Sequence, residues 1–221
     1  MVWALGIKTP YLYNIGAQPL DGDFQKVDVI DRTPDGGTLP GGMTSGRPVH
    51  AEHMPTKMRW GNARYKIPDF HDSWCVNVSE RAKAIIEQFE PNTHQFFPAE
   101  YYNKAKQLLE TRYFLIVCNR IDSLDHDKTT MVFIRHDYGA YWIPVYDLVA
   151  RGQPHLIPAH LTQDTQSQLV FNRAQIGSLH IWRDKYLLTG NGPWISDELA
   201  AALKASDLTG LDLSEQGMET I

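Results

Sequence analysis

Three things are scarce in this chain of 221 residues: cysteine, long apolar runs and, over most of its length, net charge. The two cysteines, Cys75 and Cys118, are too few for a disulfide framework or a thiolate metal site, and they point to a reducing compartment. No apolar stretch approaches the ~20 residues that a membrane-spanning helix needs. The opening apolar run, MVWALGI, has no basic segment before it of the kind a secretory signal carries. The sequence therefore predicts a cytoplasmic protein that does not engage a membrane. Residues 1–190 hold as many acidic as basic side chains, so the formal charge of −5 falls entirely in the remainder. There Asp197, Glu198, Asp207, Asp212, Glu215 and Glu219 stand against Lys204 alone. Such a segment is either a solvated surface or a surface aimed at a basic partner.

Motifs of catalysis are also lacking. No serine sits in a GxSxG elbow, and the nine histidines form no HExxH pattern. The pairs His50/His53 and His155/His160 are not on helices at ligand spacing. Asp122, Asp125 and Asp127 lack the glycine and closing glutamate of a calcium loop. Residues 41–48, GGMTSGRP, place glycines as a phosphate-binding loop does, but Arg47 and Pro48 stand where its lysine and hydroxyl belong. Cys75 is the one nucleophile worth naming. It precedes a helix start whose dipole would lower a thiol pKa, and His71 and His94 are candidate bases. Residues 57–66, KMRWGNARYK, interleave cations with Trp60 and Tyr65 as single-strand nucleic-acid binders do, in a protein that is acidic overall. No cofactor and no metal site is expected.

What is present reads as structure. Ser79 and Ser196 each look like a helix N-cap followed by acids in the first turn: Glu80 in one case, Asp197 and Glu198 in the other. Ala82, Ile85, Ile86 and Phe89 share one face of the first helix, which Pro91 ends. Leu199, Ala202 and Leu203 share one face of the last, with Gly210 closing it in a left-handed conformation. A further helix is expected over residues 99–111, burying Tyr101, Ala105, Leu108 and Leu109. Residues 113–118, YFLIVC, form the best candidate for a central strand. A hairpin is expected from residues 130–135 and 140–145 around Asp137-Tyr138-Gly139. Further strands are expected at residues 11–13, 27–30, 168–171, 178–183 and 185–188. Residues 34–55 are loop, as are residues 151–168. The fold class is α+β, mainly antiparallel sheet with helices packed on one face. An irregular N-terminal region (1–74) with short strands and a Gly-rich loop would precede a core at 75–221.

Several of these segments occur in a familiar order. They are Val78-Ser79-Glu80-Arg81, Gln95-Phe96-Phe97-Pro98, the 113–118 strand and Asp122-Ser123-Leu124-Asp125. Leu169-Val170-Phe171, residues 177–182, Ile195-Ser196-Asp197 and Leu208-Thr209-Gly210-Leu211 follow. In this order the chain, over about residues 75–215, resembles the immunity-eleven type of bacterial polymorphic-toxin immunity protein. The resemblance implies a non-enzymatic protein made beside an antibacterial toxin, including toxins delivered by type VI secretion, which it binds and neutralises in the producing cell. Many such toxins are nucleases, whose basic clefts an acidic surface would meet quickly. Asp197, Glu198, Asp207, Asp212 and Glu215 are accordingly the expected partner-binding residues, with the Gly-rich loop as a second contact.

Overall fold

The computed structural model describes residues 1–8, 16–37, 41–61, 66–187, 193–215 and 218–220. Its first half contains the strands β1 (Val2–Ile7), β2 (Gln18–Pro19), β3 (Lys57–Arg59), β4 (Phe70–Ser73) and β5 (Cys75–Val78). Helix α1 (Glu80–Phe89) leads to β6 (Gln95–Tyr102), β7 (Leu108–Ile116) and β8 (Arg120–Ile121). The hairpin β9 (Val132–His136) and β10 (Gly139–Ile143) is followed by α2 (Val145–Ala150), β11 (Val170–Asn172) and α3 (Arg173–Ile176). The chain closes with β12 (Ile181–Asp184), β13 (Trp194–Ser196), α4 (Asp197–Ala205), β14 (Leu211–Glu215) and β15 (Met218–Thr220).

The fold is α+β, as the sequence predicts. Most of its strands divide between a six-stranded sheet, β2-β3-β6-β7-β5-β4, and a five-stranded sheet, β14-β1-β13-β12-β8, while β9–β10 and β11–β15 form two small two-stranded sheets. Most neighbours are antiparallel, while β3/β6, β8/β12 and β11/β15 are parallel. The apolar run of β7 alternates between two cores, which is why it reads as continuous. Leu115 points inward with Val78, the α1 residues Ala82 and Ile86, and the α4 residues Leu199, Ala200 and Leu203. Phe114 and Ile116 point the other way, against Phe24, Val27, Met43, Val49, Met54, Met58 and Trp60. The two helices lie on the inner faces of the two sheets and touch each other. The outer face of the five-stranded sheet carries Val2, Trp182 and Trp194 into a third cluster with Leu124, Phe171 and Trp142. Residues 1–74 thus supply β1 to one sheet, β2, β3 and β4 to the other, and much of one core.

Both expected caps form. Ser79 Oγ accepts the Ala82 N–H, and Ser196 Oγ accepts the Leu199 N–H, each at 3.2 Å. The inner face of α4 differs by one position: Ala200 is buried and Ala202 half-buried. Gly210 has φ +78°, though α4 itself ends at Ala205 with Ser206 as its C-cap.

The helix expected over residues 99–111 is instead the turn and arms of the β6–β7 hairpin. Ala99 and Tyr101 alternate inward as strand residues, while Leu108 and Leu109 are 55% and 47% exposed. The Asn103 carboxamide accepts the Gln107 N–H at 2.9 Å, and Lys106 takes φ +61°, which no helix tolerates in its interior. Residues 185–187 do not continue β12 as the expected strand, and residue 188 lies outside the described residues. The Asp184 carboxylate accepts the N–H groups of Tyr186 and Leu187 and folds the chain into a turn. Strand β10 stops before Pro144, which cannot donate to a ladder and opens α2. Residues 27–30 contribute only a bridge, Val29 to Val49. The expected strand at 11–13 lies outside the described residues. Strands β1, β13 and β14 were not expected from the sequence. No helix among the described residues is long and apolar enough to cross a membrane.

Candidate partner-binding surface

The five expected carboxylates separate into two kinds. Asp197 and Glu198 occupy the first turn of α4 and act largely within the fold. Asp197 Oδ1 accepts the Trp3 indole N–H at 2.8 Å, and the Lys204 ammonium lies over the same indole ring. Glu198 is held below the usual carboxylate range chiefly by the backbone N–H at the helix start, with help from Ser196. Asp207, Asp212 and Glu215 are exposed and have no ion-pair partner among the described residues. They are not one cluster. Asp207, with φ +47°, lies past the far end of α4, about 13 Å along the helix from Asp197. Asp212 and Glu215 differ by an odd number of positions on β14, so they point to opposite faces of the sheet. Glu215 sits across from Trp3 and thus near Asp197; Asp212 sits across from Gly6.

The link between α4 and β14 is pinned to the other sheet. The Thr209 N–H and hydroxyl donate to Asp69 Oδ2 at 3.0 and 2.8 Å, and Thr209 C=O accepts the Phe70 N–H at 3.0 Å. The free carboxylates therefore stand on a fixed frame.

The other sequence candidates take structural places. Cys75 is 5% exposed, and burial, with Asp72 nearby, pushes its thiol up to about 12. Neither proposed base reaches it. The His71 ring packs between Trp60 and Tyr101 and, through burial and the neighbouring Arg112, is pulled down to about 3. His94 accepts the Cys118 N–H on Nδ1 and presents Nε2 to Glu90. A Cys118→Ser variant, which leaves Cys75 as the one thiol, is accordingly expected to resist a thiol reagent at pH 8 while folded and to react only on unfolding, read by absorbance of the released thiolate.

Trp60 is 4% exposed in the core and is not placed to stack on a base; Tyr65, the other aromatic of the 57–66 stretch, lies with residues 62–64 outside the described residues. The Gly-rich loop is tied down rather than open. Arg47 and Arg120 both bind the Asp35 carboxylate, at 2.9 and 2.7 Å, and Ser45 C=O accepts from Arg120. These contacts outweigh burial and hold Asp35 well below the usual carboxylate range. Among the described residues no group of three His, Cys, Asp or Glu side chains could hold a metal ion. Asp125 caps its own turn, accepting the Asp127 and Lys128 N–H groups, and Asp122 holds His126.

A cleft of about 910 Å³ opens between residues 34–37 and the β9–β10 hairpin, floored by His126, Phe133 and Tyr186. The hairpin is legible in the sequence but the cleft is not, because its two walls come from segments about a hundred residues apart.

A family model described as an immunity protein family (Imm11) matches residues 24–218. The chain belongs to this immunity protein family. No curated protein matches it. The Imm11 match reaches some fifty residues further towards the N-terminus than the resemblance read from the motifs, taking in β3, β4 and the segments that pack behind β7. Membership makes the protein an immunity protein and not an enzyme.

Proposed function

We propose that this immunity protein protects its producing cell by binding a nuclease toxin in the cytoplasm and occluding the toxin's active or substrate-binding site. The carboxylates of the C-terminal segment make the contact. Asp207, Asp212 and Glu215 meet the basic surface, and Asp197 and Glu198, at the start of α4, flank it on the Glu215 side. The observation that carries this reading is the confinement of the whole net charge to residues 191–221, with three of those carboxylates exposed and without an ion-pair partner among the described residues. A nuclease must hold a phosphate backbone with cations, so an opposing acidic surface speeds encounter and competes with substrate.

The test is charge reversal at the free carboxylates. Asp197 and Glu198 are left intact, because Asp197 also holds Trp3 and Glu198 complements the helix dipole. The variant Asp207→Lys/Asp212→Lys/Glu215→Lys is expected to weaken binding to the toxin domain encoded beside this protein by tenfold or more at low salt. The difference should shrink as salt is raised. Unchanged affinity at both salt concentrations would remove the acidic surface from the contact.

A further inference from the structure

Strand β14 ends the five-stranded sheet, and the register fixes which of its backbone groups remain open. The Lys8 N–H donates to Gly210 C=O at 2.8 Å, while the Leu5 N–H donates to Pro193 C=O at 2.9 Å. In an antiparallel pair a residue's N–H and C=O point to the same side. Even-numbered residues of β1 therefore face β14, and odd-numbered ones face β13. Since Ala4 lies opposite Ser214 and Gly6 opposite Asp212, it is Gly210, Asp212 and Ser214 whose backbones serve β1. The N–H and C=O groups of Leu211, Leu213 and Glu215 face outward, and no described residue hydrogen-bonds them.

The edge is presented rather than frayed. Leu211 and Leu213 pack their side chains against the core between the sheets, which anchors the strand from one face. The opposite case is β4, at the end of the other sheet, where Thr209 C=O occupies the outward N–H of Phe70. Proteins that must not pair through an edge cover it in this way, break it with a bulge or proline, or charge it against unwanted partners. Among the described residues β14 is neither covered nor broken. Its charge is of one sign: two exposed carboxylates, Asp212 and Glu215, and no cation. This turns away like-charged strands and leaves the edge open to basic ones.

We propose that β14 is the docking edge for the toxin, taking an extended toxin segment as a sixth strand of this sheet. The inference rests on the immunity reading above and specifies how the contact is made. Main-chain bonds to Leu211, Leu213 and Glu215 supply affinity, as in other strand-addition complexes. Charge sets the sequence of the incoming segment. Asp212 and Glu215 point to opposite faces and are three positions apart, so the fitting strand carries lysine or arginine at two positions three residues apart. A second copy of this chain is the wrong occupant, because two β14 strands would set carboxylate against carboxylate.

Glu215→Pro tests the main-chain part. It deletes an outward N–H that β1 does not use, in extended backbone that proline adopts at a sheet edge, and removes only an exposed side chain. Its affinity for the toxin domain encoded beside this protein should fall tenfold or more at both low and high salt. Glu215→Gln keeps the N–H and should show a smaller loss that vanishes at high salt. Amide hydrogen exchange gives a reading without mutation: Leu211, Leu213 and Glu215 should exchange fast in the free protein and slowly in the complex. Wild-type protein that binds the toxin while those amides stay fast, with Glu215→Pro binding equally well, would overturn the docking edge and leave the immunity reading intact. Protection of the same amides without toxin, rising with protein concentration, would give the edge to a second copy and overturn it too. Failure of the wild type to bind the toxin would instead remove the reading on which it rests.

Discussion

Glu90→Ala is expected to lower the stability of the fold by about 3–5 kcal/mol, measured by urea denaturation at pH 7. Glu90 is the C-cap residue of α1 and is 7% exposed. Its Oε1 accepts the N–H groups of His180 and Ile181 at the entry to β12, and its Oε2 accepts the Asn119 carboxamide and lies 2.8 Å from His94 Nε2. His94 Nδ1 already accepts the Cys118 N–H, so in the neutral ring the proton is on the Nε2 that faces Glu90. One carboxylate therefore joins α1, the chain after β7 and the start of β12, and so couples the two sheets. Alanine would strand at least three donors in the interior, each worth about 1–3 kcal/mol when left unmade. Glu90→Gln keeps the shape and one acceptor and should cost less than alanine.

The same group gives stability a pH dependence. Burial alone would raise the Glu90 pKa, but the His94 contact and the two backbone N–H bonds outweigh it and hold it below the usual range. A carboxylate with a lowered folded pKa contributes fully above its unfolded value and loses that contribution as pH falls towards the folded one. Wild-type stability should thus drop on acidification below the ordinary glutamate range, and Glu90→Gln should show a flatter profile. Identical slopes for the two proteins would remove Glu90 as a source of the acid dependence.

Gly210→Ala should be damaging for a different reason, with an expected loss of about 3 kcal/mol or more. Gly210 sits at φ +78°, where a side chain costs about 1–3 kcal/mol. A Cβ there would also stand 2.1 Å from Phe70 C=O, a backbone atom that cannot swing aside. Relief would require moving β4 away from the α4–β14 link, against the bonds from Thr209 to Asp69 and Phe70. Gly152→Ala is the matched control: it has φ +68° but open space around it, so it isolates the backbone part of the cost. A thermal melt in which the two variants fell by the same amount would show that the close approach to Phe70 contributes nothing.

The parts of the fold that were legible in the sequence are those whose reasons are local. The capping serines, the acids behind them and the apolar faces of α1 and α4 lie within ten residues of one another, as do the two arms of the β9–β10 hairpin. The misread segment, residues 99–111, had an apolar spacing compatible with either period. Only the Asn103 turn and the partner strands β3 and β7 decided for strand. β1, β13 and β14 were missed because short strands with mixed composition have no local signature of their own. The alternation in Leu211-Asp212-Leu213-Ser214-Glu215 was the available signal, and it gains meaning only beside β1.

The sequence by itself determined the α+β class, the helix starts, the family order of motifs and the placing of all net charge in the last segment. These depend on residue type and near neighbours. Tertiary structure alone decided which carboxylates are free. Asp197 is engaged by an indole 194 positions away, while Asp207, Asp212 and Glu215 have no ion-pair partner among the described residues. It also decided that β14 ends its sheet among the described residues, since an edge is defined by which strands lie beside it. Charge is a property of residues, whereas availability depends on what the fold brings alongside them.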